Sequence, residues 1–145
     1  MPNLAPFRVA ATLKERIWGG TRLGTQDPPI GEAWIVCEQN VIDSGELTGQ
    51  TLAEAVGTHP VEILGKPVFT REGATFPLLI KLLDPADWLS IQVHPDDALA
   101  REIEGEGFHG KTEAWYVLDA EDGAELIAGV VPEVAPEAIA TAIRE

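Results

Sequence analysis

Cysteine is all but missing from this sequence. A single Cys37 cannot close an internal disulfide, and its place in the apolar run Ala33-Trp34-Ile35-Val36-Cys37 predicts a buried thiol. Basic residues are scarce too. Ten Lys and Arg stand against 24 Asp and Glu, a formal net charge of −14. That balance argues against nucleic acid and anionic membranes as partners, because a binder of phosphate backbones needs a basic patch. An anionic small ligand would have to be held by a local positive field, so each lysine beside a candidate site carries information.

Long apolar runs are also absent. None approaches the roughly 18 residues of a membrane span, and residues 1–8 lack a basic region followed by an apolar block. A cytoplasmic protein with no membrane partner is expected. There is no internal repeat, and neither the dinucleotide-binding nor the P-loop glycine pattern occurs. The 145 residues, 45% hydrophobic and 23% charged, suit one globular domain over 1–145.

Turn and strand signals dominate the chain. Trp18-Gly19-Gly20 reads either as a tight turn under an aromatic lid or as a core tryptophan beside a loop. Residues 31–38 are rich in β-formers and predict a strand. Thr51 with Glu54 forms a capping-box pattern ahead of a short helix, and a second short helix over 61–64 follows Pro60. His59, between them, is expected on the surface. Residues 76–84 are apolar except for Lys81, as in a strand buried on both faces. A lysine there either snorkels to a rim or faces a polar cavity. Pro95-Asp96-Asp97 should start a helix that runs to Ile103. Residues 113–119 and 124–130 read as a hairpin, and residues 135–145 as a terminal helix.

The stretch with most chemistry is Trp88-Leu89-Ser90-Ile91-Gln92-Val93-His94. As a strand it would place Ser90, Gln92 and His94 on one face and Leu89, Ile91 and Val93 on the other. A hydroxyl, an amide and an imidazole make half a metal and ligand site, and Glu113 is the nearest carboxylate that could join them. A lone histidine on a strand is more often structural. Several short strands relieved by helices suggest a mainly β sandwich or barrel core with helical insertions.

Ser90-Ile91-Gln92-Val93-His94-Pro95-Asp96-Asp97, followed by Gly110-Lys111-Thr112-Glu113-Ala114-Trp115-Tyr116, closely resembles the type I mannose-6-phosphate isomerases. Lys14 with Ile17-Trp18-Gly19-Gly20, Gly31-Glu32-Ala33-Trp34 and residues 76–84 extend the resemblance over essentially the whole chain. The resemblance implies a zinc enzyme of the cupin fold that interconverts mannose 6-phosphate and fructose 6-phosphate. It makes Gln92, His94 and Glu113 ligands of one Zn2+ per chain, and places Ser90, Lys81 and Lys111 around the phosphosugar, with Lys111 as the catalytic candidate. The family carries a further histidine ligand and a catalytic arginine downstream, and His109 does not match that histidine. The expectation is therefore an incomplete, N-terminal portion of a cupin barrel, with self-association through open sheet edges as one way to complete it. The rival reading is a non-catalytic cupin-like module that binds a metal or a sugar phosphate.

Overall fold

A computed structural model describes residues 4–144, which divide into two compact units, one running to Gln92 and one starting at Val93. In the first unit β2 (Ile30–Val36) is the central strand of an antiparallel sheet, flanked by β1 (Thr12–Glu15) and β3 (Ile80–Leu83) in the order β1-β2-β3. Branched and aromatic side chains suit β2 to a pleated surface, and it falls within a residue or two of the strand predicted over 31–38. Its pairing joins Lys14 to Glu32 and Trp34 to Lys81.

Three short helices lie between β2 and β3 in the chain. α1 (Leu52–Thr58) carries the expected capping box: the Thr51 hydroxyl accepts the Glu54 amide at 3.2 Å, and the Glu54 carboxylate accepts the Thr51 amide at 2.7 Å. α2 (Pro60–Leu64) also forms as expected. α3 (Lys66–Glu72) was not anticipated, although Pro67 in its first turn is the same start signal that Pro60 and Pro95 give. A core of Ile42, Leu47 and Ala55 is flanked by Leu4, Phe7, Val9 and Ile63. Beside it Asn40 is fully buried. Its Oδ1 accepts the Cys37 amide at 2.6 Å, and its Nδ2 faces the Ala10 carbonyl, the Thr12 hydroxyl and the Trp34 carbonyl within 3.1 Å. Cys37 is buried, as expected.

The second unit holds α4 (Asp97–Glu104) and α5 (Pro136–Arg144). Asp96 caps α4 by accepting the Leu99 amide at 2.8 Å, so the helix begins two residues after the proline signal. The end of the helix predicted over 135–145, Glu145, lies outside the described residues, as do the first three residues of the N-terminal segment read for a leader.

Three strand expectations are corrected. Residues 88–94 form no strand, because no described segment offers them a ladder of amides and carbonyls, and Ile91 and Val93 point into solvent. The hairpin over 113–130 is reduced to its turn: the Ala124 amide reaches the Glu121 carbonyl at 3.0 Å and Gly123 takes a positive φ, yet neither arm pairs. The strand read over 76–84 shrinks to β3, and it is not buried on both faces, since Ile80 and Leu82 are exposed. Three strands do not close a barrel. The regular structure is a small antiparallel sheet with short helices, and no helix among the described residues is long and apolar enough to cross a membrane.

Candidate active site and metal ligands

Strand alternation and the register together put Lys14, Glu32, Trp34 and Lys81 on one face of the sheet and Leu13, Ala33, Ile80 and Leu82 on the other. The charged face is the more sheltered one. Glu32 is 7% exposed while Leu13 and Ile80 are each 51% exposed, the reverse of an ordinary half-buried sheet. At the centre of this face the Glu32 carboxylate accepts the Trp34 indole N–H at 2.7 Å and an Arg16 N–H at 3.2 Å, with Lys81 Nζ 3.6 Å away. Lys14 Nζ stands 4.5 Å over the Trp34 ring. Burial pushes the Glu32 carboxyl up. The Trp34 hydrogen bond and the charges of Lys81 and Arg16 outweigh it and hold the group below its ordinary 4.5. Lys81 therefore neither snorkels free nor sits alone: it is part-buried and ion-paired.

The Trp18-Gly19-Gly20 turn is fastened to the same sheet. The Gly20 amide donates to the Asp84 carbonyl at 2.7 Å and the Ala86 amide to the Trp18 carbonyl at 2.8 Å. The Asp84 carboxylate accepts the amides of Arg22 and Leu23. Neither glycine has a positive φ, so space rather than backbone freedom selects them. A Cβ on Gly19 would lie 2.7 Å from the backbone of Ile30 and Gly31, and one on Gly31 would lie 2.6 Å from the Trp18 ring. The turn is real, and Trp18 packs on the start of β2.

Beyond β3, Ser90 and Gln92 lie in a segment without regular structure, where Gln92 Nε2 donates to Ser90 Oγ at 3.2 Å. Both are exposed. In the second unit the remaining candidates converge. His94 Nε2 lies 3.3 Å from Glu113 Oε2, and Lys111 Nζ lies 3.2 Å from Glu113 Oε1. The loop carrying Lys111 is docked on the start of α4: its amide donates to the Pro95 carbonyl at 3.2 Å, and the Gly110 amide to Asp97 Oδ1 at 2.9 Å. Gly110 admits no side chain, since a Cβ would come within 2.5 Å of the Pro95 and Asp96 backbone. Burial raises the Glu113 carboxyl. Hydrogen bonds from Trp115, Lys111 and His94, with the Lys111 charge, win and bring it from 4.5 to about 2. The carboxylate is an anion at any physiological pH, shared between an ammonium and an imidazole.

Imidazole and carboxylate are the donor types that zinc takes, and two of them fall short of the three or four a zinc site uses. Among the described residues no group of three or more His, Cys, Asp or Glu could hold a metal. The hollow lined by Pro95, Asp96, Asp97, Ala98, Gly110 and Thr112 includes neither His94 nor Glu113. His109 is exposed in its loop, and His59, expected on the surface, is half-buried at the α1–α2 junction.

The family model for the type I phosphomannose isomerase catalytic domain matches residues 6–132. The chain belongs to that family. It is 42% identical over 134 residues to the Probable mannose-6-phosphate isomerase GmuF of Bacillus subtilis, covering 86% of this chain and 41% of that protein. To the mannose-6-phosphate isomerase of Streptococcus mutans it is 41% identical over 134 residues, covering 86% of this chain and 40% of the relative. The crystal structure of the mannose 6-phosphate isomerase from Bacillus subtilis superposes with a TM-score of 0.68 at 36% identity, over 80% of this chain and 38% of that one. The chain thus spans about two fifths of the length of the curated relatives it matches, 41% and 40%.

Glu32, Arg16 and Trp115 carry contacts that their sequence context did not single out. Glu32 is a charge inside the apolar run 30–36, the very signal that singled out Lys81. Arg16 and Trp115 gave no comparable signal: their roles depend on which carboxylate folding places beside them.

Proposed function

We propose that this chain contributes the metal-binding and phosphosugar-binding part of a cytoplasmic, zinc-dependent mannose-6-phosphate isomerase of cupin fold, which interconverts mannose 6-phosphate and fructose 6-phosphate. The observation that carries the reading is the Lys111–Glu113–His94 cluster, in which a carboxylate kept ionised lies within 3.3 Å of an imidazole and 3.2 Å of an ammonium. It lies inside the segment, residues 6–132, that the family model matches.

On this reading Gln92, His94 and Glu113 hold one Zn2+. The ion, when bound, supplies Lewis-acid polarisation of the sugar oxygens that become negative during isomerisation. Lys111 orients the Glu113 carboxylate and adds positive charge beside it, which an acidic chain needs in order to hold a phosphosugar. Lys81 and Ser90 offer an ammonium and a hydroxyl to the phosphate oxygens. Trp115 donates a further hydrogen bond to the Glu113 carboxylate and so narrows the directions in which it can accept.

The test is zinc content of the purified chain together with a coupled assay for fructose 6-phosphate formed from mannose 6-phosphate. Wild type should bind about one zinc, and both His94→Ala and Glu113→Ala should lose most of it. Equal zinc in all three would remove the metal assignment. The second reading is a non-catalytic module that binds a metal or a sugar phosphate; among the described residues His94 and Glu113 are the two ligand-type side chains that meet. Stoichiometric metal with turnover would eliminate that second reading. Mannose 6-phosphate binding without either would establish it.

A further inference from the structure

Three cations, Lys14, Arg16 and Lys81, crowd the sheltered face of the sheet, and the Glu32 carboxylate is ion-paired with two of them. Glu32 is 7% exposed, and such a carboxylate is retained only where its oxygens are satisfied. Oε2 is taken by the Trp34 indole at 2.7 Å and by Arg16 at 3.2 Å. Oε1 faces the Lys81 ammonium at 3.6 Å. The carboxylate cannot swing toward Lys81 or away from it without breaking the Trp34 and Arg16 bonds, and β2 is the central strand, held by ladders on both sides. Lys81 comes from the edge strand β3, on a flexible four-carbon stem with no other acidic partner within salt-bridge distance among the described contacts. Rigidity runs from β2 to Lys81, not the reverse.

We propose that Glu32 is the positioning residue of Lys81: its anchored carboxylate holds the ammonium in one place on the sheltered face, so that the ammonium meets the substrate phosphate with its orientation already fixed. The role of Lys81 at the phosphate rests on the function proposed above; the role of Glu32 rests on the sheet alone. Glu32 touches no substrate. It acts by restricting Lys81, and the ammonium, with three donors, keeps two for a phosphate while one faces Glu32.

The chain has four lysines, Lys14, Lys66, Lys81 and Lys111, so reductive 13C-dimethylation of the full 145-residue chain gives a lysine spectrum in which Lys81 is assigned by its loss in Lys81→Arg. In wild type the Lys81 signal should stand apart from that of exposed Lys66. Glu32→Gln, which keeps the shape and removes the charge, should collapse it toward Lys66. Glu32→Asp should restore part of the separation, and Glu15→Gln, on an exposed position of β1, should leave it in place. Amide spectra of the sheet report whether each variant is folded. In parallel, mannose 6-phosphate binding should weaken about tenfold in Lys81→Ala, the order of one charge-assisted hydrogen bond, and by roughly threefold in Glu32→Gln. A Lys81 signal unmoved by Glu32→Gln overturns the positioning role whatever the ligand data show. So does a folded Glu32→Gln chain that binds mannose 6-phosphate as wild type does while Lys81→Ala does not. If Lys81→Ala binds as well as wild type, or wild type takes up no mannose 6-phosphate, the substrate reading of Lys81 falls and the Glu32–Lys81 link is decided by the spectrum alone.

Discussion

The two units of this chain treat apolar side chains in opposite ways. In the first, Ile42, Ala55 and Val56 have no exposed surface and Asn40 is sealed in beside them. In the second, Ala100 is the one buried hydrophobic residue among those described, while Tyr116 is 87% exposed and Leu118 75%. The sequences are not so different: both alternate β-formers with polar residues. The difference lies in backbone partners. β2 finds β1 and β3 on its two sides, drawn from residues some twenty earlier and fifty later, whereas residues 113–130 find no strand at all. A strand pattern states which face would be buried if a ladder formed, and it cannot supply the ladder.

The most damaging way to probe that contrast is to cut one large apolar side chain in each unit. Ile42→Ala opens a cavity at a fully buried site in the Ile42, Leu47 and Ala55 core, and should cost about 3 kcal/mol of unfolding free energy. Leu118→Ala removes a side chain already in water and should change stability by about 0.5 kcal/mol or less. Urea unfolding of both variants checks the pair. Comparable losses would mean that the second unit is as well packed as the first.

Asn40 is the polar counterpart. Asn40→Ala strands the Cys37 amide and the Ala10 carbonyl away from water, and should cost about 2 kcal/mol. Asn40→Asp tests the same site from the other side, because a carboxylate still accepts from Cys37 and cannot donate to Ala10 or Trp34. It should fall on the destabilised side of wild type in the same urea experiment.

What could be read in advance follows the same division. The capping box of α1, the proline-led α2 and, to within two residues, the start of α4 are written in residues within four positions of one another, and each formed. The long-range β features were legible only as propensities: residues 88–94 and 113–130 carry the right side chains and lack a pairing partner. At the site, Glu113 as the carboxylate to join His94 was legible from motif order, and His94 and Lys111 each lie within 3.3 Å of it. Glu32 was present in a quoted motif without a role, because its importance lies in Arg16 and Lys81, brought to it by strand register.

The Glu32 cluster gives the comparison a pH axis. Its folded pKa lies below the ordinary 4.5, so the cluster's contribution to stability is fully present above about pH 4.5 and is lost as pH falls through the lower folded value. At neutral pH Glu32→Gln should cost about 1.5 kcal/mol, the size of a hydrogen bond to a charged group. The gap between wild type and Glu32→Gln should narrow on acidification, measured by urea midpoints from pH 7 to 3. A gap that stays constant with pH would mean that Glu32 contributes shape and not charge.

The smallest contrast is between two helix caps of similar geometry in the two units. Thr51 accepts the Glu54 amide at 3.2 Å, and Asp96 accepts the Leu99 amide at 2.8 Å. As local hydrogen bonds they are near equals, and each is worth about 1 kcal/mol to its own helix. Their surroundings differ: α1 buries Leu52, Ala55 and Val56, whereas α4 buries Ala100 alone. A cap on a helix that is integral to a core is felt by the whole unit, so Thr51→Ala should lower the unfolding free energy by about 1 kcal/mol. Asp96→Ala should instead fray α4 locally, with faster amide exchange at residues 98–101 and little movement of the urea midpoint. If Asp96→Ala shifts the midpoint as far as Thr51→Ala does, α4 unfolds with the core and the division between the two units is energetically empty.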